Sequence, residues 1–253
     1  CRRGSVELAV VMGAGGPRRT AGQLLRSARV PRMHLLLLPG MDGTGQLFDP
    51  LLRILPPSVP ATVVGYPTDR PLSYNELLPV VSAAVPDAAE FVVLGESFSG
   101  PLALMLAARN PPGLRGVILS ASFARSPLPA FIRCFRVLVH PLWFRAAPNA
   151  LVDWALLGRH ATAPLRGMLR AASAHVRPEV MADRAQAVIT VDVAAELQAC
   201  AVPLLYLRGT EDRIVSPRSL AHIRRLRADV AEATVDAPQL LLQAAPEAAA
   251  AHI

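Results

Sequence analysis

From His34 onward, short runs of consecutive apolar residues alternate with longer stretches in which apolar positions recur every three or four residues. The short runs predict strands over 34–40 (HLLLLPG), 61–66 (ATVVGY), 91–96 (FVVLGE), 116–121 (GVILSA), 203–209 (PLLYLRG) and 230–236 (VAEATVD). Several of them carry apolar residues side by side, as strands buried on both faces do. The longer stretches predict helices over 46–54, 73–85, 98–109, 217–227 and 246–252, several opened by Ser or Pro in the capping or first-turn position. This alternation is the signature of an α/β fold, a mostly parallel sheet with helices on both faces.

Between the strand ending near Ala121 and the one starting at Pro203 lie about eighty residues without a parallel-strand pattern, too many for a structureless loop. The segments 131–144, 150–160 and 163–176 read as amphipathic helices. The expected organisation is therefore a core of residues 33–121 and 191–253 with an inserted helical cap over 122–190. Residues 1–32 hold seven Arg and the single acid Glu7. They read as an N-terminal extension outside the fold, the alternative being a cleaved, Arg-rich targeting segment.

Composition narrows the function classes. Hydrophobic residues make up 52% of the 253, yet no uninterrupted apolar run reaches the roughly 18 residues of a membrane span, so the chain reads as soluble. All 26 basic residues are arginine, as codon bias in a GC-rich genome produces, and of the net +7 the first 32 residues account for +6. Without a basic motif or zinc-finger spacing, a nucleic-acid partner is not expected. Cys1, Cys134 and Cys200 are odd in number and far apart, which fits a reducing cytoplasm better than a disulfide framework or metal cluster. No cofactor or metal constellation is expected.

The chemistry starts at VVLGESFSGPLALMLAA (92–108), where Ser97 stands between a buried strand and a helix. Gly95 lies two positions before it; Ser99 and Gly100 follow, Ser99 taking the second glycine position of G-x-S-x-G. Small neighbours permit a sharp turn that lifts a serine hydroxyl to a helix N-terminus, a nucleophile elbow. On this motif the chain resembles the α/β-hydrolase family over residues 34–253. The resemblance implies esterase-like acyl transfer and a second oxyanion donor from LPGMDGTG (38–45), so that the backbone N–H groups of Met41 and Phe98 would form the oxyanion hole. It also implies a triad acid after a late strand. Within PLLYLRGTEDRIVSP (203–217), Asp212 fits the G-x-x-D spacing better than its neighbour Glu211.

The same resemblance places a histidine in the loop after the last strand, where Ala237-Pro238-Gln239 puts Gln239 instead. An uncharged amide cannot take the serine proton and return it to a leaving group. Loss of such a base costs about 10⁴- to 10⁶-fold in turnover. None of His34, His140, His160, His175, His222 and His252 stands where it would substitute. The expectation is a cofactor-free serine hydrolase of carboxylic esters or related acyl compounds, impaired by Gln239. The alternative is a non-catalytic ligand-binding protein of the same fold. Residues 122–190 hold nine Arg against three acids, a surplus that either suits an anionic or carrier-bound acyl ester or thioester or is a solvated helix face rich in Arg through codon bias. The cap aromatics Phe123, Phe131, Phe135, Trp143, Phe144 and Trp154 either pack the cap onto the core, the default, or line an acyl pocket.

Overall fold

A computed structural model describes residues 33–87, 90–129 and 138–253. The predicted extension 1–32, and the start of the helix predicted over 131–144 with Phe131, Cys134 and Phe135, lie outside the described residues. Six strands form one parallel sheet: β1 (His34–Leu38), β2 (Ala61–Val63), β3 (Phe91–Glu96), β4 (Leu114–Ser120), β5 (Leu204–Gly209) and β6 (Ala231–Val235). Their order is β2-β1-β3-β4-β5-β6. The ladder runs from Leu37 beside Leu94, through Leu94 beside Ile118 and Leu119 beside Tyr206, to Leu207 beside Ala233. Each predicted strand is present, the second shortened to three residues.

Parallel neighbours need crossovers, and here they are helical. α1 (Asp49–Ile54), α2 (Tyr74–Ala83) and α3 (Gly100–Ala108) connect the first four strands. α4 (Pro141–Ala146), α5 (Asn149–Leu156), α6 (Ala163–Ala174), α7 (Pro178–Thr190) and α8 (Ala194–Ala199) lie between β4 and β5. α9 (Pro217–Leu226) leads to β6, and α10 (Leu241–Ala244) and α11 (Pro246–Ala250) follow it. Starts are marked locally. Ser73 and Glu76 make a capping box on α2, and a proline opens α4, α7, α9 and α11, where its missing N–H costs nothing.

The period of two along each strand sorts the core into two layers. Leu36, Leu38 and Val93 pack with Leu77 of α2, Leu102 of α3 and Ile223 of α9. Leu35, Leu37, Leu94 and Ile118 face the other way, onto Leu51 of α1, Leu241 of α10 and Ala249 of α11. The segment between β4 and β5 leaves and rejoins the sheet through a short stem. Ser126 N–H donates to Val191 O at 3.0 Å, Val193 N–H to Ala124 O at 2.8 Å, and Arg125 pairs with Asp192 at 3.1 Å. A third apolar cluster joins Leu157 and Leu169 of this segment to Leu47 and Leu240, which follow β1 and β6. No helix among the described residues is long and apolar enough to cross a membrane.

Candidate active site

The site gathers at the C-terminal ends of the strands, where loops after β1, β3, β5 and β6 meet. β3 runs straight into a turn of 3-10 helix, Ser97–Ser99, before α3. Ser97 takes φ 48, a left-handed conformation that costs a non-glycine residue about 1–2 kcal/mol. The turn is this tight because its neighbours are bare. A Cβ on Gly95 would lie 2.6 Å from Ser99 O and 2.9 Å from Ala103 Cβ, and one on Gly100 would collide with Ser122 Oγ. That hydroxyl donates instead to Ser97 O at 2.6 Å, fixing the peptide after the serine. Ser99, in the position more often held by glycine, is fully buried and used: its Oγ donates to Pro39 O and pairs with Tyr66 Oη at 2.7 Å.

Gln239 is 2% exposed. Its Nε2 donates to Ser97 Oγ at 2.9 Å and to Ala121 O at 3.2 Å. In this bond the serine oxygen is the acceptor, the reverse of the polarity a general base requires. Asp212 follows β5, with Oδ1 accepting from the N–H groups of Ile214 at 2.8 Å and Val215 at 2.9 Å. Burial raises its carboxyl to about 6 despite those two donors. Among the described residues, Asp212 Oδ2 and Gln239 Oε1 are both buried and without a hydrogen-bond partner. An imidazole would offer an N–H on the side away from the serine, whereas Gln239 has only a carbonyl oxygen left. Glu211, the competing acid, forms an ion pair with Arg159 at 2.5 Å and lies 3.9 Å from His160 Nε2.

The loop after β1 reaches the same place. Gly43 N–H closes onto Gly40 O at 3.1 Å, Gly43 adopts φ 69, and Asp42 Oδ2 accepts from Thr44 N–H at 2.9 Å. Tyr66 N–H ties Gly43 O at 2.7 Å. On the other side, Phe98 O accepts from Tyr74 Oη at 3.0 Å, and the Phe98 ring stacks on Tyr74 at 4.7 Å. Met41, Ser97 and Phe98 all line one cavity.

Above Ser97 opens a cavity of about 910 Å³. Met41, Phe98 and Gln239 form its floor, and apolar side chains such as Val152, Leu156 and Met181 its walls. Of the aromatics predicted to line it, Phe123, Trp143 and Phe144 do. Trp154 does not: it is exposed and stacks under the Arg213 guanidinium at 4.8 Å. The six histidines are occupied elsewhere or lie apart, for example His34 bonded to Thr62 at 2.8 Å, His140 capping α4 and His175 bonded to Ala171 O at 2.6 Å. Two buried groups had no role in the sequence reading. Glu96, 1% exposed, lines the cavity beside Ser97 and accepts from Gln243 Nε2 at 3.0 Å, and burial pushes its carboxyl up to about 8. Arg184, 2% exposed, reaches the loop after β1 from α7. The signal for Glu96 was its place inside the elbow motif; for Arg184 there was none.

Similarity to known proteins agrees with this architecture. MenH from S. aureus superimposes with a TM-score of 0.72 over 89% of this chain and 93% of its own, at 12% identity. The enol-lactonase of Burkholderia xenovorans LB400 does so at 0.71 over 89% and 91%, at 18% identity. A pimeloyl-[acyl-carrier protein] methyl ester esterase of Neisseria meningitidis is 34% identical over 93 residues, 35% of this chain. The match spans 36% of that relative's length. The family model described as serine aminopeptidase, S33, matches residues 75–237, from α2 to the residue two before Gln239. The parallel sheet with its helical crossovers is an α/β-hydrolase fold, and the chain belongs to the serine aminopeptidase S33 family of hydrolases.

Proposed function

We propose that the chain is a serine hydrolase of carboxylic esters or related acyl compounds, working through an acyl-enzyme at Ser97, with Gln239 in the histidine position impairing it. Ser97 Oγ attacks the carbonyl carbon, and the N–H groups of Met41 and Phe98 hold the oxyanion that forms. Asp212 is the acid that would orient an imidazole at position 239. The observation that carries this reading is the 2.9 Å bond from Gln239 Nε2 to Ser97 Oγ on the floor of the cavity. It supports the assignment of position 239 to the base and also explains the impairment, because the amide donates to the nucleophile instead of accepting its proton.

Residues 122–190 act as the cap, whose apolar walls take the acyl chain. The curated relatives are named for a methyl ester on an acyl-carrier protein. With nine Arg against three acids in the cap, this supports an anionic or carrier-bound acyl ester or thioester as substrate. A second reading, a ligand-binding protein without turnover, draws on the fit of Gln239 itself: it is buried and bonded to both Ser97 Oγ and Ala121 O.

Gln239→His separates the two. Asp212 Oδ2 would accept the Nδ1 proton and Nε2 would face Ser97. Hydrolysis of a chromogenic ester should rise at least about 10³-fold, and the gain should vanish on adding Ser97→Ala. A folded Gln239→His protein inert toward a panel of esters and thioesters would leave the binding-protein reading in its place.

A further inference from the structure

Arg184 is the most deeply buried cation in the described part of the chain, with no carboxylate in direct ion-pair contact. Its Nη1 donates to Met41 O and to Asp42 O, both at 2.8 Å, and its Nη2 donates to Pro67 O at 2.8 Å. The guanidinium lies over two aromatic faces, 5.7 Å from the Tyr66 ring centre and 5.9 Å from that of Phe98. Burial lowers its proton affinity, and the nearby Asp42 charge partly offsets this. A buried charge is costly unless its donors are satisfied. Three carbonyls met from two guanidinium nitrogens suit the fixed fork of arginine donors better than the single nitrogen of lysine.

The carbonyls belong to the loop proposed to carry an oxyanion donor. The Met41 and Asp42 peptides directly follow the Met41 N–H, so anchoring both leaves that N–H little freedom to rotate. Gly43 completes the fit: a Cβ there would stand 2.5 Å from Arg184 Nη1. The turn must be glycine both for its φ of 69 and to admit the guanidinium. Arg184 also sits on α7 between Met181 and Ala185, which line the cavity wall. One helix therefore touches the space for the acyl chain and the loop that would hold the oxyanion.

We infer that Arg184 is a positioning residue that holds the 40–45 loop so that the Met41 N–H points at the oxyanion, tying it to α7. This rests on the reading of Met41 as an oxyanion donor. Displacing such a donor by about 1 Å costs on the order of 10²-fold in rate while substrate binding survives.

Two measurements test it. In the Gln239→His enzyme, Arg184→Met should lower kcat about 10²-fold with KM within about 3-fold, and Arg184→Lys, with one nitrogen for three carbonyls, should lose about 10-fold. In the chain with Gln239 in place, hydrogen exchange is read at two reporter amides, Gly43 N–H, bonded to Gly40 O, and Tyr66 N–H, bonded to Gly43 O. Both should exchange at least about 10-fold faster in Arg184→Met, while amides of β5 stay unchanged. An unchanged kcat, a loss confined to KM, or unchanged exchange at the two amides would overturn the inference. If Arg184→Met does not fold, Arg184→Lys is read by the same two criteria. If Gln239→His shows no turnover, the hydrolase reading fails, and the exchange measurement alone decides whether Arg184 holds the loop.

Discussion

Replacing Glu96 with glutamine should leave stability almost unchanged at pH 4.5 and raise it by about 3–5 kcal/mol at pH 9. The carboxyl is buried against Gln243, Gly40 and Asp42, and its proton affinity moves from an ordinary 4.5 to about 8, chiefly through desolvation. An acid whose folded value is raised binds its proton more tightly in the native state than in the unfolded chain. Native stability therefore falls as pH rises from 4.5 to about 8 and is level on either side. At about 1.36 kcal/mol per tenfold change in proton affinity, that span is worth about 5 kcal/mol. Water drawn toward the ionised carboxylate lowers it to the range given. The substitution keeps the shape of the protonated acid and an oxygen to accept from Gln243 Nε2. Asp212, raised to about 6, contributes a similar slope to both proteins and cancels in the difference. Urea unfolding of parent and variant at the two pH values gives the gap directly. A gap equal at both pH values would mean that Glu96 is not protonated in the native state, and the reasoning would fail.

Ser99→Gly, which restores the more usual G-x-S-x-G, should destabilise the protein by about 1–3 kcal/mol because Tyr66 Oη and Pro39 O lose a buried partner; equal or greater stability in urea unfolding would contradict this. In the Gln239→His enzyme, kcat/KM for linear nitrophenyl esters should rise about fourfold per added methylene, at ~0.8 kcal/mol each, until the cavity is full. A profile flat from acetate onward would show that the acyl chain does not enter it.

The sheet was readable in the sequence because its interior strands are buried on both sides, so HLLLL, FVVLGE and LLYLRG each carry four apolar residues in a row. Ser97 was readable because a turn this tight leaves small residues on both sides. α7 was missed for the converse reason. Its buried face carries Val180, Ala182, Arg184 and Ile189, so a charged residue stands where the helical pattern calls for an apolar one. α10 is only four residues long, shorter than a period-based reading can register. The elbow motif contained Glu96, but nothing local predicts its proton affinity. That follows chiefly from burial in the folded core, where even its hydrogen-bond partner Gln243, which lies 147 residues further along the chain, only partly offsets the desolvation. Arg184 is likewise explained by carbonyls 117, 142 and 143 residues away.

Those separations bear on when the site comes into being. Ser97 meets Gln239 across 142 residues, and the loop carrying Gln239 follows β6, the edge strand that pairs with β5 alone. Closing so long a chain segment is slow in folding, and an edge element is among the first to open again. The strained serine turn is assembled from local contacts and from Ser122, while its partner arrives only when the last strand docks. Ala233 and Val235 of that strand, and Ala237 and Leu241 on either side of Gln239, belong to the second core layer, so freeing the nucleophile from Gln239 requires part of that layer to open. The bond between Ser97 and Gln239 is thus coupled to the packing of that core layer rather than to one edge strand alone.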